Sequence, residues 1–167
     1  MNEIENLTLA ELESGIDEIR KSPKDEGVLE LIVVRPKVGE REILESGKLD
    51  AEIGLVGDNW NVRKSWATKD KKPHPEMQIN IMNSRAIALI AQTKDRWQLA
   101  GDQFYVDMDL SEENLPPKSR LKIGSAILEI TEVPHNGCAK FTKRFGKDAV
   151  KFVNSKTGKQ LHLRGLN

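Results

Sequence analysis

The stretch "SRLKIGSAILEITEVPHNGCAKF", residues 119–141, joins two kinds of structure. Its first half alternates apolar and polar residues and breaks at Gly124, which reads as two strands joined by a tight turn. Its second half passes through Pro134, His135, Asn136 and Gly137, all turn formers, to Cys138, the only cysteine in the chain. "CAKFTKRFGKDAVKFVNS" then reads as one or two short helices broken near Gly146.

Working outward, "VLELIVVRP" is rich in β-branched residues and predicts a strand over 28–35, closed by Pro36. "REILE" and "MQINIMN" are further strand candidates. "SRAIALIAQTKDRWQLAG" predicts a helix capped by Asn83 or Ser84 and stopped by Gly101. "DQFYVDMDL" alternates again, with Phe104, Val106, Met108 and Leu110 on one face. "SKTGKQLHLRG" reads as a turn feeding a last strand over 160–163. At the other end, Thr8 and Glu11 fit a capping box, and Leu9, Leu12, Ile16 and Ile19 recur at helical spacing. Residues 1–27 are therefore expected to be an amphipathic helix laid on a domain of residues 28–167. Many short strands with few long helices argue for a mostly β, barrel-like fold with strongly bent sheets and flanking helices, or for a sheet-rich α+β domain. The polar, lysine-rich loop over 59–75 is long enough to be functional and is expected to lie near the thiol.

The chain of 167 residues is long enough to bury one core without staples. Its net charge is formally zero, so the whole molecule has no bias toward nucleic acid or an anionic membrane. The charge is unevenly placed. Residues 134–167 hold eight Lys/Arg and one acid, Asp148, a net +7, which leaves 18 basic and 25 acidic residues, −7, in the remainder. No apolar run approaches the roughly 20 residues of a membrane span. The acidic N-terminus lacks a signal pattern, and one cysteine allows no internal disulfide. Together these give the expectation of a cytoplasmic protein with no membrane partner.

Cys138 is the leading chemical candidate. A structural cysteine normally sits inside an apolar run, whereas this one follows turn formers and precedes a helix. Unpaired N–H groups there, with Lys140, Lys143 and Arg144 nearby, favour a reactive or metal-ligating sulfur. His135 is a candidate base for it, and a loop histidine bonded to backbone is an equal reading. A structural zinc site would need four ligands, and only His74 and His162 remain to join His135 and Cys138. In "GLVGDNW", residues 54–60, Asp58 can orient a ligand or close a structural turn. Arg63, Lys64, Lys71 and Lys72 can meet an anion or merely solvate their loop. Arg164 can grip phosphate bidentately or join an ion pair.

"GLVGDNW", "SEENLP", "LKIGSAILEITEVPHNGCAKF", "FGKDAVKFVNS" and "LHLRGLN" occur in an order that resembles the MOSC domain, found at the C-terminus of molybdenum cofactor sulfurases. The resemblance is specific in the second half and vague before Gly54. It implies a strongly bent β-barrel-like fold. It implies that Cys138 carries sulfur as a persulfide or ligates molybdenum held by molybdopterin, and it places Asp58 and Arg164 near the pocket. With Asn136, Lys140, Arg144 and Arg63 these form the candidate cofactor-binding set, and Cys138 with His135 the catalytic one. The implied partners are a sulfur donor such as a cysteine desulfurase, whose pyridoxal phosphate would sit on that partner and not on this chain, or an electron-transfer protein. Some members reduce N-hydroxylated compounds with such partners. Two departures stand out. Asn59 and Trp60 follow Gly57-Asp58 where many stand-alone members have a histidine- and glycine-rich stretch, and the sequence stops shortly after Arg164-Gly165, where the family adds a strand. An unfilled sheet position is the expectation there. Two further readings compete. One is a non-enzymatic binding module using the basic C-terminal segment, with Phe141, Phe145 and Phe152 interleaved among lysines as in single-strand nucleic-acid binders, although the three rings are more simply read as core residues of helices. The other is a thiol redox sensor.

Overall fold

The computed structural model describes residues 4–65 and 68–167; positions 1–3, and 66 and 67 within the long loop, lie outside the described residues. The chain is a mixed α/β domain. Its main sheet has four strands, β1 (Val28–Val34), β2 (Glu42–Leu44), β5 (Ile81–Asn83) and β6 (Phe104–Asp107), in the order β2-β1-β6-β5. β1 pairs antiparallel with β2 (Val33 opposite Ile43) and with β6 (Leu31 opposite Tyr105). β5 and β6 run parallel, Met82 opposite Tyr105. Two small hairpins complete the strands, β3 (Leu49–Asp50) with β4 (Gly54–Leu55), and β7 (Arg120–Ile123) with β8 (Ala126–Glu129).

The period-two pattern divides the interior into two cores. Val33, Met82 and Tyr105 point to one face of the main sheet, where they meet Leu12, Ile19, Ile87, Ile90, Phe141, Phe145 and Phe152 from the helices. Their neighbours Ile32, Val34, Ile81, Phe104 and Val106 point to the other face, with Leu55, Leu121 and Ile130. The expected alternation of Phe104, Val106, Met108 and Leu110 is realised, since all four join that second core.

The barrel expectation is corrected. Among the described residues the sheets are separate and open, and helix outweighs strand. The physical reason is that helices, not further strands, cover one face of the main sheet, while several strands are only two or three residues long. The N-terminal amphipathic segment forms two short helices, α1 (Leu9–Ser14) and α2 (Ile16–Arg20), divided at Gly15. The capping box is present, with Thr8 N donating to Glu11 Oε2 at 2.8 Å. The single helix expected over 84–101 is also two elements: α3 (Ser84–Ala91), capped by Asn83, and a 3₁₀ helix Lys94–Ala100 ending at Gly101. Together they form the crossover that a parallel β5–β6 pair requires. α4 (Ala139–Asn154) is interrupted at Gly146, whose φ of +88° suits glycine.

The expected last strand over 160–163 is a helix instead, α5 (Lys156–Gln160), followed by a turn. Ser155 caps it by accepting from Gly158 N at 2.9 Å. Beyond the turn, Leu166 makes an antiparallel bridge to Ile81, N–H to carbonyl in both directions. Asn167 accepts from Asn80 Nδ2 at 2.5 Å and from Thr131 N through its backbone carbonyl at 3.0 Å. An unfilled sheet position is the expectation after Arg164-Gly165; there Leu166 itself bridges the β5 edge at Ile81. No helix among the described residues is long and apolar enough to cross a membrane.

Gly158 makes the α4–α5 corner possible. A Cβ there would lie 2.3 Å from Phe152 O and 2.5 Å from Val153 O. Gly158→Ala is expected to destabilise the fold by about 1–3 kcal/mol, as overpacking does, read as a lower denaturation midpoint at unchanged m-value.

Candidate functional site

The site is organised by the end of a helix. The last carbonyls of a helix lack intrahelical partners and carry its negative end. At the end of the 3₁₀ helix Lys94–Ala100, four consecutive carbonyls each accept from a different arginine. Arg41 Nε donates to Gln98 O at 3.2 Å and Arg144 Nη1 to Leu99 O at 2.5 Å. Arg164 Nη2 donates to Ala100 O at 2.8 Å and Arg35 Nη1 to Gly101 O at 3.0 Å. Gly101 itself has φ +93°.

Two of these arginines also hold a buried carboxylate. Arg35 Nε and Nη2 grip Asp58 at 2.8 and 2.7 Å, and the Arg35 backbone N–H adds a third bond at 2.9 Å. Asp58 also accepts from Trp60 N at 3.0 Å. Its side chain has no solvent exposure, so it does not face a ligand; it fixes Arg35 and the turn over 57–60. Arg164 Nη1 donates to Asp102 Oδ2 at 2.6 Å, and His135 Nε2 lies 3.0 Å from Asp102 Oδ1. Gly165 makes room for this triad: a Cβ there would stand 3.2 Å from both Asp102 Oδ1 and His135 Cδ2. Burial alone would raise the Asp102 carboxyl, but Arg164 and His135 more than reverse it and hold it below the ordinary aspartate range. Burial lowers His135, Arg164 lowers it further, and Asp102 only partly opposes them. The pair is therefore a carboxylate accepting from a neutral imidazole, with the proton on Nε2 and a lone pair on Nδ1.

These groups open onto a cleft of about 280 Å³ lined by eight Lys and Arg side chains and by no Asp or Glu. Cys138 lies on its lining and is exposed. It occupies the N-cap position of α4, and its backbone carbonyl accepts from Thr142 N at 2.9 Å. His135, Arg63, Lys140, Arg144 and Arg164 line the same cleft, whereas Asn136 and Asp58 do not. The loop over 59–75 does reach the thiol's cleft, through Asn59, Trp60, Arg63, Lys64, Ser65, Pro73 and His74. Lys71 and Lys72 lie off it, and His162 instead bonds Leu110 O at 2.7 Å. Among the described residues no three of His, Cys, Asp and Glu are grouped to hold a metal ion.

Phe141, Phe145 and Phe152 are buried at about 1% exposure each. Phe141 supports the Arg164 guanidinium at 4.9 Å. All three rings are core residues, the simpler of their two readings, and none is open to a base. A larger groove of about 740 Å³ runs between the two hairpins, but neither cysteine nor histidine lines it.

Sequence reading missed Arg35, Arg41, Asp102 and Asn59. Arg35 and Asp102 each adjoin an element boundary, at the end of β1 and after the Gly101 stop, which was the available signal. Asn59 is buried with an Oδ1 that has no partner among the described residues, and Arg164 Nε is likewise unpartnered.

No family model and no curated protein matches the chain. A solved structure, described as "Crystal structure of an hypothetical protein", is similar to it with a TM-score of 0.52 and 17% identity over 86% of this chain. The chain spans 61% of that structure's length. At this identity the likeness concerns the fold alone.

Asp58→Asn is expected to cost about 3–5 kcal/mol, because it leaves the buried Arg35 charge uncompensated, measured by denaturant unfolding. His135 supplies a pH signature. Its folded pKa is depressed, so the unfolded chain takes up a proton first as pH falls through about 6.5, and stability drops below that point. His135→Gln is expected to flatten the fall in stability between about pH 7 and about pH 5, which melting curves across that range will read.

Proposed function

We propose that this chain is a MOSC-type domain that binds the molybdenum cofactor in the cationic cleft and uses Cys138 either to ligate the metal or to carry sulfur as a persulfide. The observation supporting this most directly is the exposed Cys138 on the lining of a cleft with eight cationic side chains and no carboxylate. The donor set fits the group. The described residues offer no chelating cluster, so a metal here would arrive already chelated, as the dithiolene of molybdopterin provides, and need one soft sulfur from the protein. The cleft's cations suit the cofactor's phosphate. When bound, the cofactor supplies a thiophilic, redox-active metal.

The chain's own residues have separable tasks. Arg63, Lys140 and Arg144 bind anionic groups, Arg164 is held in place by Asp102, and neutral His135 offers Nδ1 as a proton acceptor. For sulfur carriage, the Cys138 thiolate attacks the outer sulfur of a donor persulfide. The donor's S–S bond breaks, its inner sulfur leaves as thiolate, and Cys138 holds the new persulfide with no net redox change. The donor is a partner such as a cysteine desulfurase, with pyridoxal phosphate on that partner. Metal ligation instead calls for an electron-transfer partner and would serve reduction of N-hydroxylated compounds. A reducing, cytoplasmic setting keeps the thiol free in either case.

Protein expressed with an active cofactor pathway is expected to carry molybdenum and a pterin by elemental and fluorescence analysis, or one added sulfur atom by intact mass. Cys138→Ser should lose the metal or the sulfur with an unchanged circular dichroism spectrum. A parent protein with none of the three, or a serine variant that keeps them, overturns the proposal.

A further inference from the structure

Arg41 and Arg144 differ from the other two arginines on the carbonyl fan. Arg35 and Arg164 spend their charge on Asp58 and Asp102. Arg41 and Arg144 are ion-paired with no carboxylate among the described residues, yet both are anchored, through Gln98 O and Leu99 O. They converge over Gly101. A Cβ built there would lie 3.5 Å from Arg41 Nη2 and 3.8 Å from Arg144 Nη1. Both residues line the cleft. Two guanidiniums with spare N–H donors, held by backbone over a position without a side chain, form a fork for a tetrahedral oxyanion.

We infer that Arg41, Arg144 and the bare Gly101 form a dedicated phosphate subsite, which takes the phosphomonoester end of the cleft's ligand. The inference depends on the cleft being an anion site and not on the chemistry of Cys138. Like-charge crowding is the second mark of such a site. Burial first, then the charges of Arg144 and Arg35, push the Arg41 guanidinium below its ordinary value. An anion between the two arginines relieves that repulsion, so the unliganded fold is strained electrostatically for the sake of binding. The carbonyl fan reduces the strain without removing it, because partial charges of a helix end oppose several full ones.

The probe is inorganic phosphate, titrated calorimetrically into the full chain at constant ionic strength set with chloride. Saturable binding is expected for the parent. Arg41→Gln and Arg144→Gln should each weaken it about tenfold or more, the loss of a charge-assisted contact. Lys151→Gln, which removes the same charge at an exposed position of the same helix, should leave it unchanged. Melting without phosphate keeps the test readable if a variant folds poorly: binding is compared only for variants folded at the titration temperature, and Arg41→Lys, which keeps the charge, should retain part of the binding. No saturable binding to the parent, or equal weakening by all three glutamine variants, overturns the subsite. Phosphate binding with no molybdenum, pterin or added sulfur would defeat the proposed function and leave the subsite standing.

Discussion

The end of one 3₁₀ helix sets the geometry of the whole site. Four carbonyls, from Gln98 to Gly101, project from it; Gln98 O also takes the Gly101 N–H at 3.3 Å, and the group relies on side-chain donors because the region is largely buried. Arginines from four separate parts of the chain meet that need: Arg35 after β1, Arg41 before β2, Arg144 in α4 and Arg164 near the chain's end. Each guanidinium has donors to spare after making its backbone bond. Satisfying the helix end therefore concentrates positive charge in one place, and the cationic cleft follows from it.

The two buried carboxylates divide the arginines into two kinds. Arg35 and Arg164 are neutralised from behind by Asp58 and Asp102, which makes them structural cations with defined positions. Arg41 and Arg144 keep their charge for the cleft. Asp102 has a second duty, because its other oxygen faces His135. One carboxylate thus fixes a guanidinium and an imidazole at once, and the imidazole stays neutral. The lining of the cleft therefore combines fixed cations, an imidazole and an exposed thiol.

Local features were legible in the sequence. The Thr8–Glu11 capping box, β1, the turn at Gly124 and the break at Gly146 rest on residues a few positions apart, and their conformations follow from those residues. Cys138, Arg164 and the loop over 59–75 were also singled out, and they share the cleft. What the sequence hid depends on distant partners. Asp58 read equally as a ligand group or as part of a structural turn because its role is decided by Arg35, 23 positions away, and Asp102 drew no notice because its partners are His135 and Arg164. "QLHL" alternates like a strand, but Ser155 starts a helix ahead of it and Gly158 fits that helix against the end of α4. Tertiary packing overrides the short-range pattern there. The barrel expectation erred in the same way: strands were counted correctly as many and short, but the helices that cover the main sheet were assigned a flanking role.

The bridge between Leu166 and Ile81 ties the order of synthesis to the appearance of the cleft. Arg164 and Gly165 are delivered to Asp102 and His135 only when residues 164–167 have docked beside β5. On the ribosome the thiol, the loop over 59–75 and three of the four arginines emerge earlier, yet the pocket lacks Arg164 and the imidazole lacks its full environment. Contacts of such long sequence separation form late in folding. A nascent or truncated chain would therefore expose Cys138 without the surroundings that direct its chemistry. The cleft is therefore complete only in a chain whose residues 164–167 have docked beside β5.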